Sequence, residues 1–585
     1  MERKGRLINE KLRENLIATL IMVGSVNIAA IIDRIMVGNM LNDSDLAALS
    51  LTGPVICGIN VLFGLFATGG NALAMNLKAK RDQKGADLCF TIAILGGMTA
   101  DAVVAVVGVI FKDPLTYVLC SGDESLFKSV GDYLFPLLFL GIFAVAMQGT
   151  CTFVRADGFK KLAIVIPLVA NSVNLLLDYI LMGPLNLGIA GAGWATNLGY
   201  LVSLFLLIPY FLSKKRSVHF TRPTSRLFPL LKETMLMGLA PGLFYLCMTI
   251  QSFVMNAVIL SLGGTVGATV QVVCLSANSL AGIFVSGTAQ TMLPISSALY
   301  GEKDYRGQRQ LMRTGFLVME GFCLAIMVIF LLIPRQVGAL FGVSSPEAGD
   351  MLDIAFRLFS LSLPLTGAQE CLRVCLQSTD RKNAASALTM AAGTICYIPV
   401  LLLLRPTGPM WVWLTAPIAP LIAIISCLVI LYLHKKKKNL KGSILIPEAK
   451  EEGRTYDFSF SNNIEEAVEA SKNVISILRE NDVSETICNR IGLAVEELCT
   501  NIAKYAYGDR KDDVDIFLWI NKSSVVLRIR DNGQMFNPTE FIDESGREVK
   551  GLQVLRSMLI KMEYNQVLAF NNTIITVDRQ KEALS

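Results

Sequence analysis

The 585-residue chain is 53% hydrophobic and only 17% charged, with 53 Lys and Arg against 48 Asp and Glu. That balance excludes a soluble globular protein and a nucleic-acid binder, and it points to a polytopic membrane protein. The charge is uneven: residues 1–447 hold 36 basic and 24 acidic side chains, whereas residues 448–585 hold 17 and 24. A basic, apolar body is followed by an acidic tail of different solvent class. The thirteen cysteines lie mostly in apolar runs without a C-x-x-C pair, and His219 and His434 are the only histidines, so no zinc site is expected.

The N-terminal stretch MERKGRLINEKLRENLIATL is charged and lacks a small-residue cleavage site, so it reads as a mature cytoplasmic end. Twelve runs then approach the ~20 apolar residues a membrane helix needs. They fall near 15–38, 48–76, 88–111, 131–154, 161–182, 190–212, 234–260, 268–297, 313–334, 353–377, 385–404 and 410–434. Lys and Arg crowd alternate loops, at residues 78–84, 160–161, 214–226, 303–309 and 381–382. By the positive-inside rule both termini are cytoplasmic, in a plasma (inner) membrane. The segment HKKKK, ending at Lys438, fits a cytoplasmic stop.

The two halves of this body are alike. FATGGNALAMNLKAKRDQKGAD (66–87) recurs loosely as residues 284–308, and residues 111–135 recur as residues 332–356. The offset of about 220 residues is six spans, which makes the repeats parallel: two lobes around an axis normal to the membrane. The expected division is 1–212 for the N-lobe, 213–438 for the C-lobe, 439–453 for a linker and 454–585 for a separate cytoplasmic domain. Substrate would sit between the lobes near the midplane, and transport would be by alternating access.

Carboxylates at membrane depth are costly and therefore functional candidates. Asp33 lies near the end of the first span, and Asp178 lies in the fifth, four residues after Asn174 and on the same helical face. An amide with two carboxylates suits Na⁺ or a proton; the alternative is that Asp33 only pairs with Arg34 at the interface. Asp101, Glu320 and the Glu370/Arg373 pair also lie at membrane depth, the last reading as a structural ion pair.

The segment DRIMVGNMLNDSDLAALSLTGPV (33–55) resembles the first-helix signature of the MATE (multidrug and toxic compound extrusion) family, and residues 155–196 resemble that family's fourth-to-sixth helix block. The resemblance covers residues 1 to about 435 and implies an antiporter that exchanges Na⁺ or H⁺ for small organic, often cationic, multidrug-type (xenobiotic) substrates. It also implies an N-lobe cation site of Asp33, Asn174, Asp178 and Thr196. No C-lobe carboxylate is evident in the seventh span, where Thr249 and Gln251 are the nearby polar groups.

In the tail the periodicity changes. TYDFSF (455–460) reads as a strand, 462–480 and 484–507 as helices with Ser461 and Ser484 as caps, and DDVDIFLWI with SSVVLRIRDNG as a hairpin turning near Asn521–Lys522. A helix over 552–562 and the strands NQVLAF and TIITVD complete an α/β layer large enough for its own core. Glu497 and Asn501 share a helical face: a carboxylate can act as general base, and an amide oxygen can ligate Mg²⁺. Asp531 can accept from an adenine amino group, and Gly533 permits close backbone approach.

In this order these pieces resemble the GHKL ATPase fold, in its anti-sigma-factor or serine-kinase-like form. The fold class expected is thus an α-helical polytopic membrane protein of about twelve spans in two six-helix lobes, with a C-terminal α/β GHKL-type sandwich. By the resemblance Glu497 is the general base, Asn501 the Mg²⁺ ligand and Asp531 the adenine reader, with Lys504, Gly533 and Gly551 completing a Mg-ATP site. Gln553 stands where the second glycine of that family's Gly-x-Gly pair belongs. Without a Walker A sequence the tail does not power export. The resemblance implies a regulatory role instead, in which bound ATP senses, gates or phosphorylates; it leaves open whether the tail is an ATPase or a serine/threonine kinase and whether it acts on a cytoplasmic protein partner. The alternatives are a membrane sensor whose tail binds or phosphorylates a partner, and a flippase for lipid-linked sugars.

Overall fold

The computed structural model describes residues 5–579 apart from 80–81, 158, 214–215, 344–345, 380, 439–440, 449–452, 509, 541–552, 554, 556–560 and 568–569. Among these, eleven helical segments are long and apolar enough to cross a membrane: Arg6–Met40, Asp43–Lys78, Gln83–Ile110, Glu124–Ala156, Lys161–Met182, Gly188–Leu212, Pro241–Gly301, Tyr305–Leu332, Pro346–Ser378, Lys382–Thr407 and Val412–Lys438. Pro241–Gly301 is two membrane lengths, broken at Gly264, whose φ of 55° only glycine adopts freely. Counted as two, it brings the total to twelve, and the segments are numbered as spans 1–12 in chain order.

Helical periodicity explains the orientation of each span. Span 3 exposes Val103, Val106, Val107 and Ile110 and buries Gly97, Asp101 and Ala105 on the opposite stripe. The repeat reaches down to single turns. In each half a short helix, Lys112–Leu119 or Pro334–Leu340, ends in a left-handed glycine, Gly122 (φ 84°) or Gly342 (φ 78°), before the next span begins. The halves meet where Asn256 Nδ2 donates to the Ser50 carbonyl at 2.6 Å and Asn39 Nδ2 to the Leu340 carbonyl at 2.9 Å.

Beyond the spans, Lys441–Gly442 (β1) and Pro447–Glu448 (β2) pair as a short ribbon. Five antiparallel strands follow: β3 (Arg454–Ser461), β4 (Asp513–Ile520), β5 (Ser524–Asp531), β6 (Lys561–Val567) and β7 (Phe570–Asp578), in the order β3-β4-β5-β7-β6. Helices Ile464–Glu480 and Glu485–Asn501 cover one face. Their apolar stripe (Ala467, Val474, Leu478, Ile487, Ile491, Val495, Leu498) packs on Phe458, Val514, Ile516, Leu527, Ile529 and Val577.

Local expectations need three corrections. Ser461 ends β3 and does not cap the first helix; Asn463 does, accepting from Glu466 N at 2.7 Å, while the Glu466 carboxylate reaches back to Ser461 N. Ser484 stands at the start of the second helix without a side-chain capping bond. The helix expected to run to residue 562 has ended by 561, where β6 begins, because Lys561–Val567 pairs with β7; of the rest of that segment only Gln553 and Leu555, both helical, are described.

By contacts the chain divides into two compact units. One comprises Met1–Leu16, Thr291–Gly315 and His434–Ser585; the other comprises Ile17–Gln290 and Phe316–Leu433.

Candidate functional sites

Spans 1, 5 and 6 gather the first set of polar groups. Asp178 is fully buried in span 5, and its carboxyl lies within hydrogen-bonding reach of Asp33 on span 1. Neither Asp178 oxygen nor Asp33 Oδ1 has a hydrogen-bond donor among the described residues. Asn174, one turn before Asp178, donates to Thr196 Oγ1 of span 6 at 3.3 Å. Arg34 stays within electrostatic range of Asp33 without an ion pair to it among the described residues, and its Nη1 donates to Ser276 and Ser279 of the other half, each at 3.2 Å. Two facing carboxyls repel when both are ionised, and a shared proton or a bound cation would relieve that repulsion and satisfy the oxygens that lack a donor. Tyr133 of span 4 lies within electrostatic range of both, a neighbour that its place in an ordinary apolar run did not reveal.

Two further acids at membrane depth, a buried Asp101 and a half-buried Glu320, match across the repeat. Asp101 on span 3 packs against Gly141 on span 4, and Glu320 on span 9 packs against Gly367 on span 10. Both Asp101 oxygens and Glu320 Oε1 lack a donor among the described residues. Glu370 and Arg373 form the ion pair read from their spacing, with Nε to Oε2 at 2.7 Å, and Arg373 Nη1 also reaches Gln377 Oε1 at 2.8 Å.

In the C-terminal domain the helix Glu485–Asn501 runs into a π-turn at Ile502–Ala506. Asn501 Nδ2 donates to Glu497 Oε1 at 3.1 Å, which leaves the Asn501 carbonyl oxygen as a hard donor for a metal. Asp531, at the end of β5, is 4% exposed. Its Oδ1 accepts from Gly533 N at 2.8 Å and from Asn571 Nδ2 at 2.9 Å. Burial pushes this carboxyl up to about 6, against the opposing pull of the Asn571 and Gly533 hydrogen bonds.

The turn after Asp531 docks on the π-turn, with Gln534 N donating to the Ala506 carbonyl at 2.7 Å. A Cβ on Gly533 would stand 2.6 Å from the Ala506 Cβ, so the close approach that Gly533 permits here is to Ala506. This contact ties the helix bearing Glu497 and Asn501 to the turn bearing Asp531 and Gly533. Lys504 is exposed on the π-turn, Gln553 is exposed, and Gly551 lies outside the described residues. Asn571 was missed in the sequence because its role depends on the β5–β7 register, which sets Asp531 opposite Asn571.

A family model described as MatE matches residues 18–180 and 242–403, together more than half of the chain, and one described as a histidine kinase-like ATPase domain matches residues 460–576. The multidrug export protein MepA of Staphylococcus haemolyticus is 23% identical over 409 residues, 68% of this chain and 88% of that protein. MepA of Staphylococcus aureus is 22% identical over 441 residues, 74% and 94% of the two. Among solved structures, an inward-facing multidrug resistance MATE family transporter of the MOP superfamily aligns with a TM-score of 0.63 at 20% identity, covering 71% of this chain and 99% of that one. A MOP superfamily transporter from Pyrococcus furiosus aligns at 0.60 and 21% identity, covering 75% and 100%. The two parts of the MatE match fall one in each half of the body, over spans 1–5 and 7–11, and the ATPase-domain match runs from the end of β3 into β7, taking in both helices; the chain therefore belongs to the MATE family and carries a histidine kinase-like ATPase domain at its C-terminal end.

Proposed function

We propose that the twelve-span body exports small organic, multidrug-type substrates by alternating access, driven by Na⁺ or H⁺ exchange at Asp33, Asn174, Asp178 and Thr196. The observation that supports this reading is the facing pair of a fully buried Asp178 and a half-buried Asp33, in which both Asp178 oxygens and Asp33 Oδ1 lack a donor among the described residues. A proton on the pair, or a cation between the carboxyls with the Asn174 and Thr196 oxygens nearby, satisfies them. Each state of occupancy then favours a different packing of spans 1, 5 and 6. The names of the MepA relatives support the substrate class. With an even number of spans, both chain ends lie on one side of the membrane, and the basic loops assign that side to the cytoplasm. The test is efflux of ethidium from proteoliposomes under an imposed Na⁺ or H⁺ gradient. Asp33→Asn and Asp178→Asn are each expected to lower the gradient-driven rate at least about tenfold, the effect of removing a charge-assisted interaction. Unchanged efflux in both variants would sink the assignment.

The C-terminal domain, on the same proposal, binds Mg-ATP in a regulatory role. The residues present fit the group: Asp531 presents a buried carboxyl whose two protein hydrogen bonds both fall on Oδ1, and Asn501 keeps its carbonyl oxygen for Mg²⁺. Bound Mg-ATP would supply a transferable γ-phosphoryl group. Glu497 would orient a nucleophile, and Lys504, Gly533 and Gly551 would border the nucleotide. A Mg-ATP titration of the full chain tests this, with Asn501→Ala as control: saturable binding lost in the variant supports the site, and equal binding in both overturns it.

A further inference from the structure

The strand that carries Asp531 has a second face. Side chains alternate along β5, so Leu527, Ile529 and Asp531 point toward the helices while Arg528 and Arg530 point out from the sheet. Both arginines are buried all the same, Arg530 to 3% and Arg528 to 9% exposure, because residues 302–306 lie across that face within the same compact unit. Arg530 Nη1 donates to Asp304 Oδ2 at 2.8 Å, Nη2 pairs with Glu302, and Nε reaches Asn572 Oδ1 at 3.1 Å. Arg528 Nη2 donates to the Glu302 carbonyl at 2.7 Å. Arg306 Nη1 answers from the loop side, pairing with Asp457 Oδ1 of β3 at 2.9 Å.

The loop so held is the joint between two membrane helices. Span 8 ends at Gly301 and span 9 begins at Tyr305. Asp304 serves both partners: Oδ2 takes Arg530, and Oδ1 accepts from Gly307 N at 2.8 Å in the first turn of span 9. Buried ion pairs of this kind add little net stability against apolar packing, and their best-attested use is to fix one arrangement over others. We propose that the outer face of this sheet is the fitted receptor for the 302–304 loop and the first residues of span 9, and that nucleotide occupancy at Asp531 is relayed through β5 to the start of span 9. The proposal rests on the nucleotide-binding reading above. It gives the tail a role other than powering transport: ATP bound on one face of β5 sets the grip of Arg528 and Arg530 on the other, and so biases the C-terminal half of the transporter.

Hydrogen–deuterium exchange of the full chain in nanodiscs, with and without saturating Mg-ATP, tests the relay at the peptide spanning 298–310. Two sites joined by a typical coupling free energy shift each other by about fivefold or more, so exchange in that peptide is expected to slow by about fivefold with Mg-ATP. Arg530→Gln and Glu302→Gln should still bind Mg-ATP while the effect on 298–310 falls below about twofold. Glu302→Gln lies outside the sheet and carries the test if Arg530→Gln fails to fold. Mg-ATP binding with no change at 298–310 in the unaltered chain, or a change that persists in Glu302→Gln, would overturn the relay and leave nucleotide binding standing. Absence of Mg-ATP binding to the unaltered chain would instead overturn the nucleotide reading, and the relay with it.

Discussion

Asp531 is the buried carboxyl on which the proposed nucleotide site of the C-terminal domain rests. Its carboxyl is raised from an ordinary value of 3.8 to about 6, chiefly by burial. The folded state therefore holds the proton more tightly than the unfolded chain does. The associated stability is fully present below pH 4 and is lost as pH rises through 6, a difference of about 3 kcal/mol at neutral pH. Asp531→Asn keeps an acceptor for Gly533 N and removes that dependence. The expected outcome is a domain more resistant to urea at pH 7.5 and unchanged at pH 4, followed by fluorescence of Trp519 in a chain whose other three tryptophans are replaced by Phe. The same variant is expected to weaken Mg-ATP at least about tenfold, since it loses the charged acceptor. Gly533→Ala makes a sharper test of the turn: its Cβ would meet Ala506 at 2.6 Å, so the turn must move and nucleotide affinity should fall.

At the scale of elements, the repeat places glycine against acid twice. A Cβ on Gly141 would stand 2.5 Å from Asp101 Oδ1 and 2.9 Å from Ile59, and one on Gly367 would stand 2.8 Å from Glu320 Oε1. Overpacking of this sort costs about 1–3 kcal/mol. Gly141→Ala and Gly367→Ala are expected to lower the unfolding temperature of the detergent-solubilised protein, whereas Gly282→Ala, with open space around the new methyl group, should not. Equal melting of all three variants would show that the helix pairs yield easily. Residues 101 and 320 stood out in the sequence as isolated charges at membrane depth. Their glycine partners did not, because the packing of one span on the next is not written in the periodicity of either.

For the whole molecule, span parity is the strongest constraint. Twelve membrane lengths return the chain to the side on which it started, provided Pro241–Gly301 crosses twice about Gly264. Reporter fusions check this. A fluorescent protein that folds only in the cytoplasm should be bright at either terminus, and one inserted near Gly264 should be dark. A bright insertion at Gly264 would mean that the 61-residue helix does not cross twice.

The spans, their number and the order of the tail's elements from β3 to β5 were legible in the sequence because each is set by local signals, runs of apolar residues and period-two alternation, whereas the expected strand NQVLAF (565–570) straddles the end of β6 and the start of β7. The pairing of Glu497 with Asn501 was legible for the same reason, since four residues on a helix is a local distance. Other relations needed the fold. Asn571 reaches Asp531 only through the β5–β7 register, Asn463 displaces Ser461 as cap because β3 runs on to residue 461, and Arg530 finds Asp304 across 226 positions of chain. A helix or strand encodes which face it shows, but the partner it meets there is chosen by the burial of all the elements together, and that choice is made only in the folded structure.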